Sequence, residues 1–145
     1  MALADLLAAI DRQGGVGGTR PAIPLDLFFE GNDDEGSIGC NLGNHPGVAT
    51  FHQVLTTIRD KPNVHDVLVG ITEVMSSSEW PFSDHVYVIT TALPSEVMAW
   101  AGELNPDPKG SDEQADENVD WWLDEVRPQL DQIPDGARVV LLFWD

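Results

Sequence analysis

The chain has 145 residues, of which 25 are acidic and 7 are basic, so its formal net charge at pH 7 is -18. This length suits one domain, and a hydrophobic content of 42% is enough to build a core. Nucleic acid and anionic membranes are excluded as partners, because phosphate groups are bound by clustered Lys and Arg that the sequence lacks. The single cysteine, Cys40, excludes an internal disulfide and a thiolate zinc cage, which indicates a cytoplasmic protein.

The N-terminal segment, residues 2–13, predicts an amphipathic helix. Its apolar stripe consists of Leu3, Leu6, Leu7 and Ile10. The glycine-rich stretch 14–19 follows a helix and lacks a Gly-Lys-Ser/Thr ending, so it predicts a flexible joint rather than a phosphate loop. No cationic leader and no apolar run of membrane-spanning length is present, so we expect a protein that is neither exported by a classical signal nor embedded.

A single domain is expected over residues 1–145. It divides into the N-terminal helix (1–13), a joint (14–22) and a sheet-containing body (23–145). Within the body, the alternation of Leu25, Leu27 and Phe29 predicts a strand.

Glycine, asparagine and aspartate follow this strand in 31–36, and a second apolar segment follows in 37–42. These residue types tolerate the positive φ angles of tight turns. The pattern therefore predicts a β-hairpin with Asp33, Asp34 and Glu35 at an acidic tip.

The middle of the chain predicts one helix and two strands. The helix opens near Pro46, and its apolar face consists of Val48, Phe51, Leu55 and Ile58. The segments 67–72 and 86–91 are rich in β-branched residues and predict strands that pair as a long hairpin. The connection between them, 75–84, is long enough to form either a lid over the sheet or a display surface.

The last third of the chain predicts two helices and a strand. One helical stripe begins at Pro94, and a second runs through 119–130 with Pro128 ending or kinking it. Residues 138–145 are apolar on both faces, which is typical of a central strand. The expected fold is α+β, with a single, mostly antiparallel sheet of about five strands and three to four helices packed on it.

Metal and catalytic chemistry find little support in the sequence. If Gly36 is aligned with the glycine of a calcium-binding loop, the first ligand position falls on Gly31 and the bidentate glutamate position falls on Leu42. The four histidines have no metal-binding spacing, and no serine or cysteine lies in a nucleophile motif. We therefore expect no metal, no cofactor and no catalytic residue.

Trp80 lies in a polar loop beside Glu79 and Asp84. An aromatic side chain in such a loop either seals the rim of a core or anchors an interface. The candidate partner-binding residues are Asp33, Asp34, Glu35, Glu79, Trp80 and Asp84, provided that the two loops lie on the same side of the sheet.

Four segments resemble a family of small, uncharacterised bacterial proteins. They are Leu27–Leu42 with its FFEGNDDEGSIGCNL pattern, Asp66-Val67-Leu68-Val69, Trp80–Thr90 with WPFSD and VYVIT, and the terminal Phe143-Trp144-Asp145. The resemblance covers most of residues 23–145 and implies no established activity. By analogy of size and acidity alone, the chain is similar to bacterial immunity proteins that neutralise toxin domains.

Three interpretations of function remain open. The first is an immunity or inhibitor protein whose acidic face docks a basic toxin or another basic protein. The second is a small-molecule-binding domain or hydrolase with its site under the Trp80 loop. The third is a salt-adapted scaffold with evenly spread carboxylates. The aromatic content is also compatible with a homodimer.

Overall fold

The computed structural model of the chain describes residues 2–16, 21–107 and 135–144. Its helices are α1 (Ala2–Arg12), α2 (Leu25–Phe29), α3 (Val48–Arg59) and α4 (Pro94–Trp100), and its strands are β1 (Ala22–Pro24), β2 (Val64–Gly70), β3 (His85–Thr90) and β4 (Arg138–Phe143). Two short 3-10 helices lie at Glu35–Ser37 and Gly102–Leu104. In these ranges, no helix is both long and apolar enough to cross a membrane.

One antiparallel sheet organises the fold, with strand order β1-β2-β3-β4. The predicted α+β class is confirmed, and the four strands of the described sheet are close to the expected five. The long hairpin is also confirmed, because β2 pairs with β3 in a register that sets Val67 opposite Val88 and Val69 opposite Val86.

The sheet is buried on both faces, as the period of two along each strand requires. One face packs against α1, α2 and α3 and contributes Ile23, Val67, Val69, Val86, Val88, Val140 and Leu142 to the larger core. The opposite face carries a second apolar cluster made of Ala22, Leu68, Tyr87, Ile89, Val139 and Leu141.

Helices α1 and α3 pack through the apolar stripes that the sequence predicts. In α3, the side chains of Phe51, Leu55 and Ile58 are buried, and in α1 those of Leu6 and Ile10 are buried. Burial of such side chains contributes about 1.5–3 kcal/mol each, which outweighs the weak intrinsic propensity of these short helices.

The predicted hairpin over 23–42 is wrong. Only Ala22–Pro24 forms a strand, and the chain turns into α2 at Leu25. Leu25, Phe28 and Phe29 are all buried, and their spacing of three and four residues fits one face of a helix rather than alternate positions of a strand. The acidic tip is therefore a loop between α2 and the 3-10 helix Glu35–Ser37.

The C-terminal strand is confirmed and is buried on both faces, but it lies at one end of the described strand order rather than in its centre. Asp107 donates its backbone N–H to the carbonyl of Phe143, and Trp144 donates its indole N–H to the carbonyl of Leu104 at 2.8 Å. The predicted helix over 119–130 lies outside the described residues.

Candidate partner-binding surface

Two loops that are distant in sequence lie side by side. The acidic loop, residues 30–38, and the Trp80 loop, residues 71–84, are joined where Ser83 donates its backbone N–H to the carbonyl of Ser37 at 2.7 Å. A second bond runs from the indole N–H of Trp80 to the carbonyl of Phe28 at 2.9 Å. The two loops are therefore in direct contact.

The acidic loop is ordered from inside by Asn32, whose side chain is buried. Its amide N–H donates to Oγ of Ser37 at 2.9 Å, and its carbonyl oxygen accepts the N–H of Asp34 at 2.9 Å. The carboxylate of Asp34, the residue that caps the 3-10 helix Glu35–Ser37, in turn accepts the N–H of Gly36 at 2.9 Å. The buried side-chain amide of Asn32 and the carboxylate of Asp34 thus hold the backbone of the acidic loop.

Four of the six predicted site residues, Asp33, Asp34, Glu35 and Glu79, are exposed to solvent. The ion pairs found between described residues involve other carboxylates, those of Asp26, Asp60 and Asp84. Two further exposed carboxylates on the same loops, those of Glu30 and Glu73, are not among the candidate residues predicted from the sequence. Glu73 belongs to the Trp80 loop because it forms an antiparallel bridge with Phe82, which lies near the other end of that loop.

Trp80 makes its contacts within the chain. Its ring is partly buried against the larger core, and its only N–H donates to the carbonyl of Phe28. A side chain held in this way fastens the Trp80 loop to α2, which supports the interpretation of Trp80 as the rim of a core.

Asp84 belongs to a separate polar cluster with Thr72 and His85. Its Oδ1 atom accepts the hydroxyl of Thr72 at 2.9 Å and the Nδ1–H of His85 at 2.7 Å. The side chain of His85 is 6% exposed and that of Asp84 is 27% exposed. This cluster closes the base of the Trp80 loop, and the exposed carboxylates lie on the rest of the two loops.

The position of His85 depends on a glycine across the sheet. His85 pairs with Gly70 in the β2–β3 register, and the imidazole occupies the space that a side chain at Gly70 would fill. An ideal Cβ on Gly70 would lie 2.0 Å from Nε2 of His85. Glycine inside a strand often marks such a close approach.

Among residues 2–16, 21–107 and 135–144, no three His, Cys, Asp or Glu side chains converge as a metal site would require. Cys40 is exposed.

Comparisons with known proteins identify the family of the chain. The sequence model of the Uncharacterized protein YfbO family matches residues 1–142. The chain belongs to this family. A relative from Escherichia coli strain K12, uncharacterized protein YfbO, is 35% identical over 127 residues, which are 87% of this chain and 84% of the relative. No solved structure has significant similarity to the chain. The resemblance to an uncharacterised bacterial family is confirmed.

The Asp84 cluster predicts a pH dependence of stability. Burial raises the pKa of Asp84, but the hydrogen bond and charge of His85 and the hydroxyl of Thr72 outweigh it, so the pKa lies below its ordinary value of 3.8. A carboxyl group with a lowered pKa in the folded state stabilises the fold above pH 3.8, and this contribution is lost as the pH falls through the folded-state pKa.

We expect Asp84→Asn to be less stable than the unsubstituted chain at pH 7, and its stability to fall less steeply below pH 4. Urea unfolding at a series of pH values measures both effects. Asp33→Asn is the matched control, because Asp33 is exposed and forms no ion pair with a described residue. Equal acid slopes for Asp84→Asn and Asp33→Asn would contradict the assignment.

Proposed function

We propose that this chain is an acidic, cytoplasmic protein-binding module whose acidic loop and Trp80 loop together dock a basic protein. The partner class that best fits is a basic toxin domain or a comparable basic protein, so that the chain acts as an immunity or inhibitor protein. The observation that carries the proposal is the backbone hydrogen bond between Ser83 and Ser37, because it puts the carboxylates of both loops on adjoining segments.

The state of these carboxylates supports the proposal. Asp33, Glu35 and Glu79 are exposed, and their charges are not neutralised by basic side chains within the described part of the chain. An acidic surface of this kind attracts basic partners over distances comparable to the Debye length and raises association rates by roughly 10- to 1000-fold. Charge pairs that become fully desolvated on docking add further affinity.

An apolar side chain lies within the same loops. Met75, on the Trp80 loop, is 51% exposed. Methionine is flexible and polarisable, so it adapts to irregular partner surfaces. A basic partner that also presents an apolar side chain would therefore complement this surface better than a purely charged one.

For the rival function, a hydrolase or small-molecule site under the Trp80 loop, the candidate catalytic pair at the base of the loop is Asp84 with His85. A general base must reach the proton that it removes. In this chain Nδ1 of His85 bonds to Asp84, and Nε2 faces Gly70 within the sheet. This geometry supports a structural role for His85 and leaves the docking proposal as the better supported one.

The direct test compares two triple variants from which three negative charges have been removed. The docking variant carries Asp33→Asn, Glu35→Gln and Glu79→Gln, and the control carries Asp11→Asn, Glu96→Gln and Glu103→Gln, at exposed sites outside the two loops. The unsubstituted chain and both variants are used as bait in a low-salt extract of the native host, and the proteins bound to each are quantified. We expect a stoichiometric basic partner to bind the unsubstituted chain and the control, and to bind the docking variant at least about tenfold more weakly.

Two results would count against the proposal. If both triple variants lose the partner equally, total charge rather than the loop pair is responsible. If the unsubstituted chain captures no stoichiometric basic protein, the binding function itself is wrong.

A further inference from the structure

The outer edge of the sheet at β1 is closed by a side chain. Pro21 uses its carbonyl to accept the N–H of Ile71 on the β2 side, so the N–H and carbonyl of Ala22 point away from the sheet. There the side-chain carbonyl of Gln13 accepts the N–H of Ala22 at 2.8 Å, and the amide N–H of Gln13 donates to the carbonyl of Ala22 at 2.9 Å.

This two-bond pattern is the one that a residue of a neighbouring antiparallel strand would make with Ala22. The next outward backbone position along β1 is Pro24, which has no N–H to donate. Because the N–H of Ala22 is bonded to Gln13 and Pro24 has no N–H, β1 presents no unused backbone donor at its outer edge.

Exposed strand edges pair readily with other strands, and identical edges are complementary to each other about a two-fold axis. In an antiparallel pairing centred on Ala22, the N–H of each Ala22 would donate to the carbonyl of the other, in place of the two bonds to Gln13. We propose that Gln13 is an edge-closing residue that prevents β1 from pairing with β1 of a second copy of this chain.

The proposal is tested with Gln13→Ala, which removes both hydrogen bonds and leaves the helix before it intact. High salt is used so that repulsion between chains with a net charge of -18 is screened. Sedimentation measures association, and amide hydrogen exchange at Ala22 reports on the edge itself. At low protein concentration, the Ala22 amide of the variant should exchange about five- to tenfold faster, as expected for the loss of one hydrogen bond.

At high protein concentration, the variant should associate more than the unsubstituted chain, and protection at Ala22 should return, because a second copy replaces Gln13. Gln53→Ala is the matched control, since Gln53 is exposed on α3, and it should change neither measurement. Circular dichroism verifies that every variant is folded. Association that leaves exchange at Ala22 independent of concentration would overturn the proposal, as would the absence of any increase in association.

Discussion

Replacing Gly70 with alanine should lower the free energy of unfolding by about 2–4 kcal/mol. The new Cβ would lie 2.0 Å from Nε2 and 2.2 Å from Cδ2 of His85, so the imidazole must move. Because His85 is buried and bonded to the carboxylate of Asp84, the movement strains the strand pair and weakens that charge-assisted hydrogen bond. Both effects lower the free energy of unfolding.

Urea unfolding of four chains measures the effect as a double-mutant cycle: the unsubstituted protein, Gly70→Ala, His85→Ala and the double variant. Without the imidazole, we expect Gly70→Ala to cost less than about 1 kcal/mol. Gly102→Ala is a control in which the added Cβ meets nothing within 4 Å. An equal cost of Gly70→Ala in both backgrounds would show that the contact with His85 is not the cause.

Gly39→Ala should also destabilise the fold, by about 2–4 kcal/mol. Gly39 has a φ of 67°, in the left-handed region where a Cβ is unfavourable. In addition, the Cβ would lie 2.6 Å from Cζ of Phe51, a fully buried ring of α3 that packs against Trp144. The ring cannot move without disturbing the core.

The matched control for Gly39 is Gly43→Ala, in the same connection between α2 and α3. An added Cβ at Gly43 meets nothing within 4 Å, and its φ is not positive. We expect the control to change the unfolding free energy by less than about 0.5 kcal/mol. Thermal or urea unfolding measures the loss of unfolding free energy in each variant. Similar losses for Gly39→Ala and Gly43→Ala would show that neither the φ angle of Gly39 nor its contact with Phe51 is important for stability.

The sequence predicts the elements whose burial follows a clear period. The stripes of α1 and α3 and the β-branched runs of β2 and β3 are long enough for one period to dominate, and all four elements are present. Segment 25–29 fails because it satisfies two periods at once: Leu25, Leu27 and Phe29 alternate, while Leu25, Phe28 and Phe29 share a helical face. In five residues, local pattern cannot decide between them, and tertiary packing does.

The acidic residues of the candidate surface follow from composition, but their assembly does not. The bond between Ser83 and Ser37 joins segments that are far apart in the chain, and no local periodicity encodes it. For the same reason Glu73 was missed. The contact between Gly70 and His85 had a detectable signal, since a glycine within a β-branched run often indicates close approach of another group.

The internal bonds of the acidic loop affect the entropy of association. Fixing the backbone of one residue costs about 1–2 kcal/mol of conformational entropy. Asn32 and Asp34 already fix this loop in the folded chain through their bonds to Ser37 and Gly36. A partner that docks on the loop therefore does not have to order it, and more of the interaction energy remains as affinity.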